Sequence, residues 1–413
     1  MSFGMAREAE NVEAGYGAAA TAVADGHPPG VAGTPHARAR IDLAAIRANV
    51  SRLCDTAGSA EVMAVVKADA YGHGAVPVAR AALAGGATWL GVAGMREALA
   101  LRTAGVPGRL LAWLLPPGDD WSAAVAAGVE LSAGAPWAVR AAVRAAQAVD
   151  RPALLHLEAE TGLGRGGAAA GDWQTLVDSA ASAEAAGYLR VVGVWSHLAR
   201  ADEPGHPSCE RQLEIFRDAA GIARRAGLAP DVLHLSNSAA TLTLPEAHFD
   251  LVRPGLAVYG LSPVPDLAGP SELGLRPAMT LTARLASVKR VPAGQGVSYG
   301  HRYRTARETT LGLVPLGYAD GVPRHASQAG PVLVAGRQHT VAGTVCMDQF
   351  VVDLGDASAA PGDEAVLFGP GDRGEPGAAD WARAARTISH EIVTRIGARV
   401  PRAYTGGSAP GDH

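Results

Sequence analysis

The segment 61–74, EVMAVVKADAYGHG, places a lysine directly after an apolar run, and the fold can be inferred outward from this order. The run VMAVV is typical of a buried strand, and Lys67 follows it together with Tyr71, two glycines and a histidine. For a single strand, a lysine at the end is most often an ordinary surface residue. A functional role for Lys67 therefore needs support from the rest of the chain.

Seven further apolar or β-branched runs follow, and alanine-rich segments with charges at helical spacing separate them. The eight runs are VMAVV at 62, WLGVA at 89, LLAWLL at 110, VELSA at 129, ALLHLEAE at 153, LRVVGVWSHL at 189, DVLHLS at 231 and DLVRPGLAVYG at 250. Eight β/α units over roughly 220 residues match the size of a closed parallel barrel. A doubly wound open sheet gives similar local patterns, but the count of eight favours the barrel. We therefore predict an α/β fold with an eight-stranded parallel (β/α)8 barrel over residues 39–275.

A change of pattern after residue 275 predicts a second domain. Runs with a period of two, bounded by Gly, Pro and Asp, replace the alanine-rich helices and predict a mainly-β C-terminal domain over residues 276–405. The segment 39–50, ARIDLAAIRANV, either adds a strand to that domain or starts the outer helices of the barrel. We further predict a disordered extension over residues 1–38, which are rich in Ala, Gly and Pro, and a flexible tail over residues 406–413.

The composition excludes several classes of partner. The chain has 413 residues, 48% of them hydrophobic, and a formal net charge of −4, which describes a globular protein of two domains. Its basic residues are scattered, so no nucleic-acid-binding face is expected. No apolar run approaches the roughly 20 residues needed to cross a bilayer. The three cysteines lie far apart in the sequence, so they predict neither a disulfide framework nor a metal cluster, and a reducing cytoplasm fits them best.

Polar residues at the strand ends are the candidate site residues, because β/α barrels carry their chemistry at the carboxyl ends of the strands. They are Lys67, Glu158, Arg165, His197, Asn237, Ser238 and Arg253. Alone, Lys67, His197 and Arg253 each have an ordinary structural explanation: a surface lysine, a hydrogen-bonded barrel histidine and an ion-pair partner. Since all seven should meet at one mouth of the barrel, we expect them to form a site.

The last two strands also predict a phosphate site. Ser238 offers a hydroxyl and a helix cap, and the backbone N–H groups of Gly255 and Leu256 are further donors. The sequence GLGRGG lacks the strand, turn and helix context of a dinucleotide motif, and no Walker motif is present. A reactive lysine, a phosphate and an arginine together indicate pyridoxal 5′-phosphate (PLP), which enzymes bind as a lysine Schiff base.

These residues carry a resemblance to a known family. The segments AVVKADAYGHG, TGLGRGG, WSHLARAD, HLSNSAAT, VRPGLAVYG, VSYGH, LGYADG, GTVCMD and RIGARVPRAY resemble the signature segments of alanine racemase, in order, from about residue 40 to residue 404. The resemblance implies a PLP-binding barrel followed by a β domain. It also implies a head-to-tail homodimer, in which each active site takes residues from the β domain of the partner subunit.

The resemblance assigns roles to individual cofactor-binding residues. Lys67 resembles the Schiff-base lysine, and Arg253 resembles the residue that faces the pyridine nitrogen. Because a guanidinium does not readily give up its proton, the ring nitrogen stays unprotonated, and the cofactor is a weaker electron sink that suits racemisation. The expected phosphate and cofactor contacts are Tyr71, His197, Asn237, Ser238, Gly255 and Leu256.

For the reaction, the resemblance implies a base on each face of the substrate. Lys67 serves one face after the substrate has replaced it in an external aldimine, and Tyr299 of the second subunit serves the other. Arg165 and the Met347 amide would hold the substrate carboxylate. Residues resembling an entry to the site are Asp202, Tyr318, Arg324 and Asp348. The product would supply D-alanine for cell-wall peptidoglycan.

Two departures from the family pattern affect the site. Glu158 stands where many members have a lysine that becomes carbamylated, and Glu160 follows where Asp is usual. We interpret Glu158 as presenting a negative charge to Arg165 without modification. His390 in TISHEIV stands where the family usually has a tyrosine that bonds the cofactor phosphate. An imidazole can still donate to phosphate, but its different shape bears on substrate preference.

The residues leave several neighbouring functions open. A racemase of another small amino acid, such as serine, fits the same residues. A non-catalytic PLP carrier of the single-barrel kind would lack VSYG and CMD, and a decarboxylase on the two-domain plan would pair the ring nitrogen with an acidic group rather than Arg253. A structural role with the chemistry lost conflicts with the nearly complete set of site residues.

Overall fold

The computed structural model describes residues 35–407. The predicted extension therefore lies outside the described residues except for its last four, and Ala37 and Arg38 already belong to the first strand, β1 (Ala37–Asp42). Of the predicted tail, residues 408–413 also lie outside the described residues.

The eight predicted runs form the eight parallel strands of a nearly closed barrel. They are β2 (Glu61–Val65), β3 (Trp89–Val92), β4 (Arg109–Ala112), β5 (Glu130–Ala133), β6 (Ala153–Glu158), β7 (Leu189–Trp195), β8 (Val232–His234) and β9 (Leu251–Val252). The hydrogen-bonded order is β8-β7-β6-β5-β4-β3-β2-β9, so the last strand pairs with the first. This order confirms the barrel and excludes a doubly wound open sheet, in which the first and last strands do not meet.

Helices surround the strands, as the alanine-rich segments predicted. They are α1 (Leu43–Ala57), α2 (Lys67–Gly72), α3 (Ala75–Ala84), α4 (Met95–Thr103), α5 (Trp121–Ala126), α6 (Pro136–Val149), α7 (Ala170–Ala185), α8 (Pro207–Arg225) and α9 (Ser238–Thr243). Helix α6 illustrates the pattern: it has proline in its first turn, where the missing N–H costs nothing, and it buries one alanine-rich face. Small side chains on that face let the helix pack closely on the strands.

The C-terminal part is mainly β, as predicted. Its strands are β10 (Met279–Arg284), β11 (Ser287–Val291), β12 (Gly296–Val297), β13 (Tyr303–Arg304), β14 (Thr309–Val314), β15 (Pro331–Val334), β16 (Arg337–Thr340), β17 (Phe350–Gly355), β18 (Glu364–Phe368) and β19 (Arg402–Thr405). They form a six-stranded sheet in the order β16-β15-β18-β10-β1-β19, a sheet β11-β14-β17 and a hairpin β12-β13. Two helices, α10 (Ala378–Ala385) and α11 (Ser389–Thr394), complete it.

The sequence left open whether the segment ARIDLAAIRANV belongs to the barrel or to the C-terminal domain, and it contributes to both. Strand β1 pairs with β10 and β19 in the C-terminal sheet, and helix α1 begins directly after it. The Asp42 carboxylate ends the strand and caps the helix, because its Oδ1 accepts the N–H groups of Ala44 (2.9 Å) and Ala45 (3.1 Å).

Six short 3₁₀ helices connect these elements within residues 35–407. They are Pro245–Ala247, Leu256–Tyr259, Ser271–Leu273, Tyr299–His301, Tyr318–Asp320 and Arg324–Ala326. None of the helices in the described part of the chain is both long enough and apolar enough to cross a membrane.

The inside of the barrel is packed so closely that a single glycine decides whether a histidine fits. Gly193 in β7 faces His156 in β6, and a Cβ at Gly193 would overlap the His156 imidazole. The pairing of β6 with β7 also shifts its register beside His156. Gly193 therefore leaves the space that the imidazole ring fills.

We expect Gly193→Ala to lower the free energy of unfolding by about 1–3 kcal/mol, because the new methyl group must displace the buried ring. Gly171→Ala in α7 is the matched control, since nothing lies within 4 Å of a Cβ there, and it should be neutral or slightly stabilising. Urea unfolding of both variants checks the expectation. Equal stabilities of the two variants would contradict it.

Candidate functional site

One cavity of about 400 Å³ lies at the carboxyl ends of the barrel strands and collects most of the predicted site residues. Those that line it are Lys67, Tyr71, Arg165, His197, Asn237, Ser238, Arg253, Gly255, Leu256 and His390. Asp202, which was predicted at the entry, also lines it. The strand-end rule therefore located residues from five different strand-to-helix connections, and the barrel brings them together.

Lys67 begins a turn of unusual backbone. In α2, the four residues from Ala68 to Tyr71 all have positive φ angles of 52° or 53° and none is glycine, so the turn is left-handed. Such a conformation costs roughly 1–2 kcal/mol per residue, and strained backbone of this kind clusters at functional sites. The Glu97 carboxylate holds the turn by accepting the Ala68 N–H at 2.6 Å. The turn sets the directions of both Lys67 and Tyr71.

The Lys67 amine lies in an environment that disfavours its charge. Burial lowers the pKa of Lys67, and the positive charge of Arg165 lowers it further, while the Glu97 carboxylate opposes both. The amine lies 5.9 Å from the centre of the Trp113 ring. A desolvated amine of this kind is well suited to act as a nucleophile or a base.

Ser238 joins the two loops that were predicted to hold phosphate. Its Oγ accepts the N–H groups of Gly255 (2.8 Å) and Ala257 (3.2 Å), so the loops after β8 and β9 are tied together. Ser238 was also predicted as a helix cap, but this is wrong. The cap is Asn237, whose side chain accepts the Ala240 N–H at 3.0 Å, because Ser238 already belongs to the helix.

The hydroxyl of Tyr71 reaches the same loops. A Cβ at residue 255 would overlap this hydroxyl, so Gly255 permits the close approach. Burial raises the pKa of Tyr71 to about 12, and the phenol therefore stays protonated and can donate to an anion. The Ser238 and Tyr71 hydroxyls are therefore the donors that this side of the cavity offers to an anion, and we call them the anion-binding wall.

Arg253 follows β9 and is only 5% exposed. Its guanidinium donates to the backbone oxygen of Ser196 (2.7 Å) and contacts the Nδ1 atoms of His234 (3.1 Å) and His197 (3.3 Å). Burial lowers the pKa of Arg253 to about 9, which still leaves it charged at neutral pH. Burial and the charge of Arg253 also lower the pKa of His197 to about 3, so His197 is neutral.

Glu158 does not form the direct pair with Arg165 that its charge suggested. Neither side chain makes an ion pair within 4.0 Å of an opposite charge in residues 35–407. Burial raises the pKa of Glu158 to about 7, and Arg165 is the strongest of the charges that oppose this rise. The interaction is therefore a longer-range attraction. Glu160 instead shapes the turn, accepting the N–H groups of Gly162 (2.6 Å) and Arg165 (2.9 Å).

His390 reaches the cavity from the C-terminal part of the chain. It lies in α11, and its ring centre is 6.0 Å from that of Tyr71. Burial, followed by the nearby charge of Lys67, lowers its pKa, so the imidazole is neutral and can donate one hydrogen bond. This position is where the expected tyrosine would have placed a hydroxyl.

The predicted residues of the β domain other than His390 lie away from the cavity lining. Tyr299 (74% exposed), Met347 (53%) and Tyr318 (40%) face solvent, and we call these three side chains the Tyr299 surface. Their segments are adjacent, because Tyr318 N–H donates to the Cys346 oxygen (3.0 Å) and the Thr344 hydroxyl donates to the Tyr299 oxygen (3.2 Å).

Of the three charged residues predicted at the entry, Asp202 lines the cavity, whereas Arg324 and Asp348 are exposed. Asp348 pairs with Arg399 at 2.8 Å, and Arg399 in turn contacts buried Asp320 at 3.1 Å. Arg324 does not line the cavity.

Sequence reasoning missed three residues of the cavity and its support. Trp113 and Trp195 line it, and their signal was a large aromatic residue within an apolar run. Glu97 also escaped notice. Its spacing of three residues from Gly94 matches a helix start, and its carboxylate accepts the Gly94 N–H at 3.0 Å as well as holding the Lys67 turn.

These features fit PLP. The cavity offers a desolvated lysine amine for the aldehyde and the hydroxyls of Ser238 and Tyr71 for a phosphate. It also offers a buried guanidinium for the ring nitrogen. These groups come from the loops after β2, β8 and β9, and a Cβ at residue 255 would overlap the Tyr71 hydroxyl, so the wall is closely packed.

Comparison with known proteins gives matches along almost the whole described chain. Residues 41–263 match the family model of the alanine racemase N-terminal domain, and residues 278–404 match that of the C-terminal domain. The alanine racemase of Streptomyces coelicolor is 62% identical over 373 residues, covering 89% of this chain and 95% of that protein. That of Frankia casuarinae is 61% identical over 364 residues, covering 88% and 95%. The crystal structure of alanine racemase from Streptomyces lavendulae superposes with a TM-score of 0.91 at 57% identity, covering 92% of this chain and 100% of that one.

The buried carboxyl of Glu158 generates a pH prediction. Its folded-state pKa of about 7 lies above the ordinary value of 4.5, so the folded protein holds the proton more tightly between these pH values. The cost of burying the charge is therefore absent below about pH 4.5 and fully present above about pH 7. Relative to the unmodified protein, Glu158→Gln should gain on the order of 2 kcal/mol of unfolding free energy as the pH rises through this window.

Urea unfolding at several pH values measures this difference. Glu160→Gln is the matched control. Burial would raise the pKa of Glu160, but hydrogen bonds from backbone N–H groups lower it overall, so the stability that this carboxylate contributes is lost on acidification. Relative to the unmodified protein, the unfolding free energy of Glu160→Gln should therefore fall as the pH rises, opposite to Glu158→Gln. A Glu158→Gln difference that does not change with pH would contradict the expectation.

Proposed function

The chain belongs to the alanine racemase family, and from this premise we propose that its cavity interconverts L- and D-alanine by a two-base mechanism that uses Lys67 and, from a second copy of the chain, Tyr299. The observation that carries the proposal is the meeting of the desolvated Lys67 amine, buried Arg253 and the Ser238 and Tyr71 hydroxyls in one cavity. Matching family models over both parts of the chain support it.

The proposed cofactor is PLP, which, when bound, withdraws electrons from the substrate and makes its α-proton acidic. Lys67 would hold its aldehyde carbon, and Arg253 would face its ring nitrogen. Arg253 remains charged at neutral pH and donates to the fixed backbone oxygen of Ser196. It would therefore face the ring nitrogen without transferring a proton to it. His390 would add one donor at the phosphate side, and His197 and Asn237 would orient the ring and the loop.

Lys67 is the base on one face in this proposal. A lysine takes up a proton only when its amine is neutral, and burial together with Arg165 favours the neutral amine. The left-handed turn holds the residue in place, so Lys67 would take a proton from, or deliver one to, a single fixed face of the substrate, and Tyr299 would act on the other face.

Tyr299 is the proposed base on the other face, and it would come from the partner subunit. Its side chain is three-quarters exposed in the single chain, and the other two side chains of the Tyr299 surface are exposed to a lesser degree. Large exposed groups with apolar surface that lie near one another are typical of interaction sites. A phenol needs a cationic neighbourhood to act as a base near neutral pH, and buried Arg253 supplies a charge at the cavity. We therefore propose a homodimer with shared active sites.

The substrate carboxylate would be held by Arg165 and the partner's Met347 amide. Glu158 would bias the Arg165 side chain at a distance, as the longer-range attraction indicates. Tyr318 and Asp348 would line the entry, and the ion pair of Asp348 with Arg399 would fix one wall of it. A narrow polar entry selects by size, so serine is the alternative substrate.

A PLP carrier and a decarboxylase fit the molecule less well. A non-catalytic PLP carrier of the single-barrel kind does not explain the match over residues 278–404. A decarboxylase would need an acidic group at the position of Arg253. The proposed reaction would supply D-alanine for peptidoglycan. We propose that it takes place in the cytoplasm.

Mixing of two inactive variants tests the shared site. Lys67→Ala and Tyr299→Phe should each lower kcat for L-alanine by a factor on the order of 10² to 10⁴. When the two are unfolded, mixed and refolded with PLP, half of the dimers are hybrids with one intact site. Activity should then recover to about one quarter of the unmodified protein.

Three outcomes of this experiment are informative. No recovery would show that Lys67 and Tyr299 act within one chain or not at all. A Tyr299→Phe variant with full activity would overturn the role of Tyr299. An unmodified protein that leaves L-alanine unchanged on chiral chromatography would overturn the function.

The position of His390 generates a second expectation. His390→Tyr introduces a larger ring beside Tyr71, so the ratio of kcat/KM for alanine to that for serine should change by about 10-fold. His36→Tyr, which alters an exposed histidine outside the cavity, is the control and should keep the ratio. A constant ratio in both variants would show that position 390 has no part in selecting the substrate.

A further inference from the structure

A line of four hydrogen-bonded side chains crosses the inside of the barrel, and only its first member touches the cavity. Arg253 at the mouth contacts His234 Nδ1 at 3.1 Å, and His234 Nε2 contacts His156 Nδ1 at 2.9 Å. His156 Nε2 then contacts Glu130 Oε2 at 2.8 Å. Glu130 is the first residue of β5, so it lies at the end of the barrel opposite the cavity. We call these four residues the histidine chain.

The histidine chain is built into an apolar environment. His156 and His234 are fully buried and Glu130 is 2% exposed, among the side chains of Met63, Trp89, Leu111, Val232 and Leu251 that fill the barrel. Trp195 stacks on His234 with ring centres 5.9 Å apart. Buried polar groups are costly unless their hydrogen bonds are complete, so a chain of this length needs a reason.

The donors and acceptors of the histidine chain fit only one arrangement of protons. Arg253 can only donate, so His234 Nδ1 must accept and its proton must lie on Nε2. That Nε2–H donates to His156 Nδ1, which places the proton of His156 on Nε2 as well. The last N–H meets Glu130, and a carboxylate is an acceptor only.

Glu130 is held in its charged form. Burial would raise the pKa of Glu130, but hydrogen bonds from His156 and Arg109 outweigh burial and keep the pKa below its ordinary value. Arg109 binds both oxygens, at 2.6 Å and 3.0 Å. Burial lowers the pKa of His234 well below its ordinary value, so this imidazole stays neutral.

We propose that Glu130 is a positioning residue for Arg253: its carboxylate fixes the tautomers of His156 and His234 so that His234 presents a bare Nδ1 to the Arg253 guanidinium. Glu130 touches neither the cavity nor its contents and acts only through the two imidazoles. The inference rests on the proposed function in one respect, namely that Arg253 faces the cofactor ring.

The amide of a Glu130→Gln variant would remove this control. If its NH₂ group faces His156 Nε2, both imidazoles can reverse, and His234 then turns an N–H toward the N–H of Arg253. Two donors repel each other, so the guanidinium loses one of its acceptors and shifts against Ser196 and His197. The effect therefore appears at the mouth of the barrel, although the substitution lies at the other end.

A purely structural role for Glu130 is the competing explanation, because its pair with Arg109 links β5 to β4. Arg109→Gln separates the two explanations, since it breaks the same pair and leaves the carboxylate in contact with His156. Glu61→Gln is a second control, because it neutralises a carboxylate at the same end of the barrel. Glu61 accepts the Trp89 Nε1–H at 2.8 Å and makes no hydrogen bond to the histidine chain.

The test uses ¹⁵N-histidine NMR of the PLP-loaded protein, with His156 and His234 assigned from their Asn variants. In the unmodified protein both imidazoles should be neutral with the proton on Nε2. Glu130→Gln should move His234 partly or wholly to the Nδ1–H form and lower kcat by about 10-fold to 100-fold, the range that the loss of an outer hydrogen-bond partner has at metal-ligating histidines. Arg109→Gln and Glu61→Gln should keep the Nε2–H forms.

Several outcomes would overturn the proposal. An Nδ1–H form of His234 in the unmodified protein would do so, and this holds even if Glu130→Gln fails to fold. Unchanged tautomers in folded Glu130→Gln, or the same change in Arg109→Gln, would also do so. Racemase activity of the unmodified protein is measured on the same sample. Its absence would contradict the proposed function, whereas tautomers unresponsive to Glu130 in an active enzyme would contradict only this inference.

Discussion

The pairing of the first barrel strand with the last is the constraint on which the site depends. Val65 N–H donates to the Pro254 oxygen at 3.0 Å, and the Tyr259 hydroxyl donates to the Val65 oxygen at 2.8 Å. These bonds bring the Lys67 turn beside Arg253, although the two residues are far apart in the chain. Without the closed ring, the amine and the guanidinium would lie on opposite edges of a sheet.

The site carries costs that the surrounding structure offsets. A left-handed turn, a desolvated amine and a buried guanidinium are each unfavourable by themselves. Glu97 fixes the turn, and four protein acceptors surround Arg253 in the barrel. These features are therefore held in place by neighbouring groups, of which Glu97 and the backbone oxygens of Ser196 and Leu235 lie outside the cavity lining.

The single chain presents the proposed site in two halves. The cavity holds the amine and the anion-binding wall, while the Tyr299 surface carries its large side chains into solvent. His390 is the exception, because α11 packs against α2 and brings it to the cavity of its own chain. The C-terminal part thus has two relations to the barrel: helix α11 completes the cavity of the same chain, and the Tyr299 surface faces solvent.

The sequence by itself determined the eight strands, the mainly-β second part and the set of strand-end residues, because periodicity and the strand-end rule are local patterns. Only the tertiary structure decided that β1 joins the C-terminal sheet, that Asn237 rather than Ser238 caps its helix, and that Glu158 acts on Arg165 only at a distance. The line from Glu130 to His234 was equally hidden. Each of its residues stands beside apolar residues in a strand run, and contact across a barrel depends on register and strand tilt, which no local pattern records.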